Sequence, residues 1–214
     1  TSESTPRSPS TPAVAVIPNG CDYDDIAAGE PSPTLRRELA LGDETVCAYV
    51  GAYDYEPNRR AARLICEEIA PELPDVTFVL AGREPPSSTP ANVRAPGFVD
   101  DLSDLLATAD VALCPLTMGS GTKLKMMDYL AAGLPIVTTE VGAQGIDLVD
   151  GEHALVRSAP EGFIDAIRRL ETDPALRERL GSNAAALGRQ YAWRTLLAGY
   201  DELLATLFGD EHDT

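Results

Sequence analysis

Both lysines of this 214-residue chain lie in one short glycine-rich segment. Of its 17 basic residues 15 are arginine, and the two lysines are Lys123 and Lys125. They follow Gly119, Ser120, Gly121 and Thr122 in the run GSGTKLKMMDYLAAGLPIVTT (119–139). We predict that this loop leads directly into a helix, whose free backbone N–H groups and dipole attract an anion. The glycines let the backbone approach such a ligand closely, and the hydroxyls add hydrogen-bond donors.

The two lysines meet the positive end of the predicted helix dipole, which is mildly unfavourable for the helix itself. An anion in the loop would remove this conflict, and a diphosphate is the natural candidate. A plainer interpretation stays open, because glycine loops before helices are common and lysines near a helix start are usually solvated. The segment is not a P-loop, since GxxxxGK[ST] is absent, and no GxGxxG dinucleotide fingerprint follows the first strand.

The overall charge of the chain is negative, so any bound phosphate must be held by a local group of cations. The chain has 34 acidic and 17 basic residues, a formal net charge of −17. A field of that sign repels phosphate backbones and anionic lipid head groups, so we expect no binding to nucleic acid or to membrane surfaces. The acidic composition, with arginine as the default cation, also suggests adaptation to high salt, although GC-rich coding bias replaces lysine too.

Cysteine and histidine usage gives no sign of a metal or cofactor. The four cysteines show no CxxC or metal-ligand spacing, and the two histidines are too few and too scattered for a metal site. Cys47 and Cys114 lie in apolar runs, where a thiol behaves as a small hydrophobe. No apolar run approaches about 18 residues, and no basic-then-apolar leader opens the chain. We therefore expect a cytoplasmic protein without a transmembrane segment.

The elements that must position the lysines alternate along the chain. Apolar runs at 13–17, 45–51, 76–82, 92–99, 110–116, 134–139 and 154–156 alternate with helical patterns at 57–72, 100–109, 121–132, 160–171, 174–190 and 193–208. Continuously apolar strands between helices predict an α/β fold, a doubly wound Rossmann-like parallel sheet with helices on both faces. Ser, Thr and Pro dominate 1–12, which we predict to be a disordered linker, and we expect 209–214 to be a frayed tail. One domain, 13–208, lies between them.

In such a sheet, ligands bind at the carboxyl ends of the strands beside the topological switch point. This rule selects the loops after Val50, Leu80, Val99, Cys114 and Thr138. The glycine-rich segment follows Cys114 and is therefore one of the selected loops.

The glycine-rich segment, with the glycines of VGAQG (141–145), resembles the donor-binding half of a GT-B glycosyltransferase, above all the family 4 retaining enzymes. Similar motifs occur in the family's order at VIPNGCD (16–22), GAYDYEPNRRAA (51–62), VLAGR (79–83), GFVDDL (97–102), ADVALCPL (109–116) and QYAW (190–193). The resemblance spans nearly all of 14–208, and it identifies 13–208 as a C-terminal domain that binds the nucleotide sugar.

The resemblance implies a sugar transfer from a nucleotide-diphosphate donor to a hydroxyl acceptor, with retention, no metal and a role in polysaccharide or glycan biosynthesis. The acceptor, a glycan or a small molecule, would bind an N-terminal domain upstream of Thr1 that also carries a base-like histidine. The chain as given would then bind the donor but turn over poorly. The alternative is a stand-alone, non-catalytic module for nucleotide-sugar binding or protein interaction. A non-hydrolysing epimerase shares the fold, but would need catalytic carboxylates and a histidine pair that we do not find.

Site residues follow from the resemblance position by position. Asp128 occupies the position of the family's glutamate that binds the ribose hydroxyls, and its side chain is one methylene shorter than that glutamate. The alternative is that Asp128 is an ordinary solvated residue of the helix. Eight positions before Asp128, the family has a second acidic residue, which contacts the donor sugar. This chain has Ser120 there. The Arg/Lys pair that holds the diphosphate in many members is also missing from the loop AYDYEPN (52–58). Lys123 and Lys125 are then the nearest cations for the β-phosphate, and we favour Lys125, where the GSGT-type members carry a lysine.

The remaining candidates lie on neighbouring loops. Base recognition would come from backbone groups after Leu80 and around Val99, with Arg83 either stacking on the base, pairing with phosphate, or doing neither. Tyr53 and Tyr55 would lie at the same rim, against the sugar or the partner domain. Backbone N–H groups in 140–145 would meet sugar hydroxyls.

Overall fold

The computed structural model describes residues 16–208. The linker predicted for 1–12 and the tail predicted for 209–214 lie outside these residues. Of the apolar run 13–17, only the last two residues are described, and they belong to no strand.

Six parallel strands form one sheet at the centre of the molecule. They are β1 (Thr45–Val50), β2 (Val76–Ala81), β3 (Val93–Gly97), β4 (Val111–Cys114), β5 (Ile136–Thr138) and β6 (Leu155–Val156). Their order is β3-β2-β1-β4-β5-β6, and every pairing is parallel. This is the predicted doubly wound sheet, and its order reverses between β1 and β4, which is the topological switch point.

Helices cover both faces of the sheet. They are α1 (Tyr23–Ala27), α2 (Pro33–Glu38), α3 (Glu56–Leu64), α4 (Leu102–Thr108), α5 (Leu124–Ala131), α6 (Glu161–Thr172), α7 (Pro174–Gly188) and α8 (Trp193–Phe208). The crossover from β1 to β2 runs in the opposite direction along the sheet from the crossover of β4 to β5. Because such crossovers are right-handed, α3 and α5 lie on opposite faces.

The strands carry unbroken apolar sequence because both of their faces are buried. All six residues of β2 and all four of β4 are buried, which is the usual environment of a parallel strand between two helical layers. All four cysteines are buried and free. Burial raises the pKa of Cys21 and Cys66 to about 11, so these thiols stay protonated at neutral pH.

Several element boundaries differ from the prediction. The helix expected at 121–132 begins only at Leu124, with Lys123 as its N-cap. The helix expected at 57–72 continues beyond α3 as a π-helical turn, Ile65–Ile69, and a short 3₁₀ turn. The helix expected at 100–109 begins at Leu102 and is capped by Asp101, whose carboxylate accepts a hydrogen bond from the Asp104 N–H.

The short helices α1 and α2 were not predicted. A local signal for α2 was present, because Ser32 precedes Pro33 and its hydroxyl accepts a hydrogen bond from the Leu35 N–H. This is the ordinary pairing of a serine cap with proline in the first turn.

Backbone contact between two glycines joins the loops that follow β1 and β2. Gly82 has φ +136, and a Cβ on it would lie 1.8 Å from the carbonyl oxygen of Gly51. The Gly82 N–H donates to the Gly97 carbonyl at 2.7 Å, which extends the contact to the end of β3. The backbones at the carboxyl ends of three strands are therefore in contact at this edge.

We expect Gly82→Ala to lower the free energy of unfolding by roughly 2–5 kcal/mol, since it combines an unfavourable φ with a backbone overlap. Gly97→Ala is the matched control: φ there is +86, but nothing lies within 4 Å of the added carbon, so only about 1–2 kcal/mol is expected. Urea denaturation of both variants measures the difference. Equal losses would contradict the contact between the two loops.

Candidate functional site

A cleft of about 350 Å³ opens at the switch point, between the carboxyl ends of β1 and β4. Its walls are the loop after β1, the start of α3, the glycine-rich loop and the first turns of α5. The structure brings six of the predicted donor-binding residues together in it, namely Gly119, Ser120, Thr122, Lys123, Lys125 and Asp128. Tyr129 fixes α5 to this edge, since its hydroxyl accepts a hydrogen bond from the Val50 N–H at 2.9 Å.

Lys125 points across the cleft towards β1 and α3. Its Nζ donates to the Tyr49 hydroxyl at 3.0 Å and to Asn58 Oδ1 at 2.8 Å. The ammonium also lies 4.1 Å from the centroid of the Tyr49 ring, in cation–π geometry. Burial, with a smaller contribution from the charge of Lys123, lowers the pKa of Lys125 to about 8. The lysine is thus a desolvated cation that titrates near the physiological range.

Lys123 has a different environment from the one predicted. It is the N-cap of α5 rather than part of its first turn, and only 9% of its surface is exposed. Its ammonium folds back and donates to the Gly121 carbonyl. This bond closes the glycine-rich loop on itself, so Lys123 shapes the loop while it also lines the cleft.

Asp128 lies one turn after Lys125 on the cleft side of α5. The side chain is partly buried rather than solvated, and it lines the cleft. Burial, with a further contribution from the charge of Asp22, raises the pKa of Asp128 to about 6. The cleft therefore combines a cation and a carboxyl whose charged forms are both disfavoured by burial.

The glycine-rich loop needs its glycines for backbone conformation. Gly119 has φ +111 and Gly121 has φ +72, values that other residues rarely adopt. Ser120, between them, is exposed at the mouth of the cleft. Gly121 belongs to the loop without lining the cleft wall.

Besides Gly121, two predicted residues do not line the cleft, namely Arg83 and Val99. The Arg83 side chain is 68% exposed and forms an ion pair with Asp54 at 3.7 Å. Val99 is partly buried and packs against the core. The structure therefore does not bring them together with the two lysines, and their contact with a base stays a prediction.

Tyr53 was wrongly placed at the rim. It is 3% exposed, and its hydroxyl donates to the backbone carbonyls of Tyr49 and Ala81. Tyr55 does lie at the cleft, with 57% of its surface exposed.

The turn after β5 has fewer free donors than expected. The Gly142 N–H already donates to the Thr139 hydroxyl, and the Ala143 N–H to the Thr139 carbonyl. These two groups of the segment 140–145 are engaged within the turn itself.

Sequence reasoning missed Tyr49 and Asn58, the two partners of Lys125. Both are buried polar side chains, with exposures of 0% and 8%. The signal was present but weak: a tyrosine inside a continuously apolar strand must find a partner for its hydroxyl. Nothing in the local pattern says which residue that partner is.

Residues 16–208 contain neither a metal-binding cluster nor a membrane-spanning helix. No group of three or more His, Cys, Asp or Glu side chains in that range is arranged to hold a metal ion. Within the same range, no helix combines the length and the apolar character that crossing a bilayer requires.

Comparison with known proteins gives a family match. The model of the family described as "Glycosyl transferases group 1" matches residues 44–173. The chain is 27% identical over 210 residues to the phosphatidyl-myo-inositol mannosyltransferase of Mycobacterium tuberculosis (strain ATCC 25618 / H37Rv), covering 90% of this chain and 54% of that protein. It is 28% identical over 224 residues to the D-inositol 3-phosphate glycosyltransferase of Kribbella flavida, covering 91% and 52%. The chain thus spans about half the length of the curated relatives it matches.

Solved structures show the same fold. Anabaena Alr3699/HepE in complex with UDP-glucose superposes with a TM-score of 0.70 at 20% identity, over 90% of this chain and 57% of that one. WaaG, a glycosyltransferase involved in lipopolysaccharide biosynthesis, gives a TM-score of 0.66 at 19% identity, over 88% and 55%. At such identities the likeness concerns the fold alone.

The raised pKa of Asp128 predicts a pH-dependent stability penalty. Folding moves this pKa from its ordinary 3.8 to about 6, so the folded chain keeps a proton that the unfolded chain releases between these values. The carboxyl therefore lowers stability as the pH rises through this window, and the penalty is complete above it. We expect Asp128→Asn to raise the free energy of unfolding at pH 7.5 by about 1–3 kcal/mol and to have no such effect near pH 3.5.

Urea denaturation between about pH 3.5 and pH 8 measures this difference. Asp165→Asn, on the exposed surface of α6, removes the same charge and serves as the control. A gain for Asp128→Asn that is equal at both ends of the pH range would contradict the assigned burial.

Proposed function

The chain belongs to the group 1 glycosyltransferases, and from this premise we propose that it is the donor-binding half of a retaining enzyme of that family. It would transfer a sugar from a nucleotide-diphosphate donor to a hydroxyl acceptor, in polysaccharide or glycan biosynthesis. The reaction would proceed without a bound metal, in the cytoplasm, where we expect the donor to be supplied.

One observation carries the proposal: a partly buried ammonium, whose hydrogen-bond partners among residues 16–208 are neutral side chains, faces an open cleft at the switch point. Among the described residues, no carboxylate forms an ion pair with Lys125. A desolvated cation without a counter-ion is costly for the folded state, and an anion in the cleft would offset that cost. The anion must be attracted locally, because the chain as a whole carries a charge of −17.

The chemistry of sugar transfer suits such a cation. As the bond between the anomeric carbon and the phosphate oxygen breaks, the sugar becomes oxocarbenium-like and the departing diphosphate gains negative charge. A preorganised ammonium, together with the N–H groups at the start of α5, stabilises that charge without reorganisation. In this proposal Lys125 contacts the β-phosphate, and Lys123 supports it by closing the glycine-rich loop.

The other cleft residues fit the remaining parts of a nucleotide sugar. Asp128, on the same face of α5 as Lys125, would accept hydrogen bonds from the ribose hydroxyls. Ser120, Gly119 and Thr122 would face the sugar and the phosphates, with a hydroxyl where the family has a carboxylate. Arg83 and backbone groups near Val99 would meet the base.

Related proteins set the range of donors to test. Alr3699/HepE has been crystallised with UDP and with UDP-glucose, whereas the mycobacterial relative is named a mannosyltransferase. UDP, GDP and ADP and their sugars are therefore the first candidates for this cleft. The acceptor and the base-like histidine would be supplied by another domain, so we expect this chain alone to bind the donor and to turn over poorly.

Removal of the cation tests the assignment directly. We expect Lys125→Met, which keeps an unbranched side chain one atom shorter and without charge, to weaken binding of the preferred nucleoside diphosphate at pH 7 by about 1.5–3 kcal/mol, or roughly 10- to 150-fold. In the unchanged chain, affinity should fall as the pH rises through about 8, where Lys125 loses its charge. Isothermal titration calorimetry with UDP, GDP and ADP measures both effects.

Arg60→Met is the matched control, since it removes a cation from the exposed surface of α3, where Arg60 pairs with Glu56. Equal affinities for the Lys125 variant and the unchanged chain would refute the proposed role. Binding of the nucleotide sugar without any transfer, even by the two-domain protein, would instead favour a non-catalytic module.

A further inference from the structure

We propose that Asn58 is a positioning residue, which holds the Lys125 ammonium in the cleft and ties it to the loop that follows β1. The inference rests on the proposed function, because it assigns Asn58 a part in donor binding through Lys125. It concerns a residue on α3, outside the glycine-rich segment that carries the family resemblance most strongly.

The side chain of Asn58 makes three hydrogen bonds at once. Its Oδ1 accepts from Lys125 Nζ at 2.8 Å and from the Tyr49 hydroxyl at 2.7 Å, and its Nδ2 donates to the Ala52 carbonyl at 2.9 Å. Only one amide orientation satisfies all three, since the ammonium cannot accept a hydrogen bond and the carbonyl cannot donate one. The residue is 8% exposed, so water does not readily replace these partners.

The contact joins three separate parts of the chain. Lys125 lies on α5, Asn58 on α3 and Tyr49 on β1. The Ala52 carbonyl belongs to the loop between β1 and α3. Gly51 completes the arrangement, because a Cβ there would lie 2.9 Å from the Asn58 amide and 3.0 Å from Lys125 Nζ. The glycine leaves room for the amide and the ammonium to meet. Asn58 thereby fixes the distance between the loop wall and the cation.

The neutrality of the asparagine matters as much as its geometry. A carboxylate at the same position would hold the ammonium equally well, but would neutralise it and compete with a phosphate. An amide oxygen orients the lysine and leaves its full charge available. Asn58 and Tyr49 are both neutral acceptors, so the ammonium is positioned without being paired.

Several titratable groups surround the ammonium, and among them the charge of Lys123 contributes to its lowered pKa. Tyr49 faces it from β1, Cys114 from β4 and Lys123 from the loop, and Asp128 lines the same cleft. Burial raises the pKa of Tyr49 and of Cys114, so neither carries charge near neutral pH. From α3 the ammonium meets the neutral amide of Asn58.

The chain contains only two lysines, which makes a direct measurement simple. Lysine labelled with ¹³C at the ε carbon gives two signals, and Lys123→Met assigns them. Titration of the Lys125 signal reports its protonation without any ligand. We expect Asn58→Asp to move that titration to higher pH, because a carboxylate favours the charged lysine, and Asn58→Ala to move it to lower pH, because an acceptor is lost.

Calorimetry with the nucleoside diphosphate that the unchanged chain binds supplies the second readout. We expect Asn58→Asp to weaken binding at pH 7 by 10-fold or more, even though it places the lysine correctly, and its alkaline loss of affinity to occur at higher pH. Asn183→Asp, on α7 and outside the cleft, adds the same charge and should change neither readout. If Asn58→Ala does not fold, Tyr49→Phe replaces it: the ring stays, one acceptor is lost, and the titration should again move to lower pH.

The outcomes separate the inference from the proposed function. Unchanged lysine titration and unchanged affinity in both Asn58 variants would overturn the positioning role, while the donor site would stand. A shifted titration in a chain that binds no nucleotide would overturn the proposed function, and with it the part in donor binding assigned to Asn58. Both shifts together, with weaker binding in Asn58→Asp, would support the inference.

Discussion

The site depends on one interaction, the contact of the Lys125 ammonium with the neutral oxygens of Tyr49 and Asn58. A cation in this position is removed from water, and two hydrogen bonds and an aromatic face compensate only part of the lost hydration. Burial accordingly lowers the pKa of the ammonium to about 8, and in the proposed function a bound anion would offset part of the remaining cost. A chain with 34 acidic residues repels anions at long range, so the proposed diphosphate site depends on a positive charge that is local and held in place.

The doubly wound sheet supplies the place where this can happen. Between β1 and β4 the crossovers diverge to opposite faces, and the strand ends are left uncovered there. The loop after β1 and the first turns of α5 meet across this gap, with Tyr129 bonded to Val50 beneath them. The cation and the carboxyl of Asp128 are then presented by one helix, whose orientation is set by the core rather than by the exposed loop.

Most of the fold could be predicted from the sequence, because a parallel strand with both faces buried must be apolar throughout. The runs that contain β1, β2, β4 and β5 satisfied this condition and were located to within two residues at each end. The start of α5 was placed three residues too early, since TKL is as compatible with a helical turn as with the extended N-cap that Lys123 adopts. The Lys123 ammonium bonds back to the Gly121 carbonyl of its own loop, and such a contact produces no pattern of apolar residues that the sequence could reveal.

The site could be predicted only in part, for a related reason. The glycine-rich loop is local in sequence, so its glycines, hydroxyls and lysines could be identified together. The partners of Lys125 are distant, because Asn58 lies 67 residues away and Tyr49 lies 76 residues away. Tyr53 was misplaced because an aromatic residue that follows a strand can lie either at the rim of a binding cleft or in the hydrophobic core. Which of the two applies depends on neighbours that only the folded chain brings together.

The glycine contact between the loops after β1 and β2 also limits how this domain can diverge. With the backbone of Gly82 against the Gly51 carbonyl, neither loop has space to shift alone. In the proposed donor site, one loop borders the phosphates and the other approaches the base. Selection for a new nucleotide would therefore act on both loops together. Replacing only one loop with that of a relative would place it against a loop whose backbone does not match it.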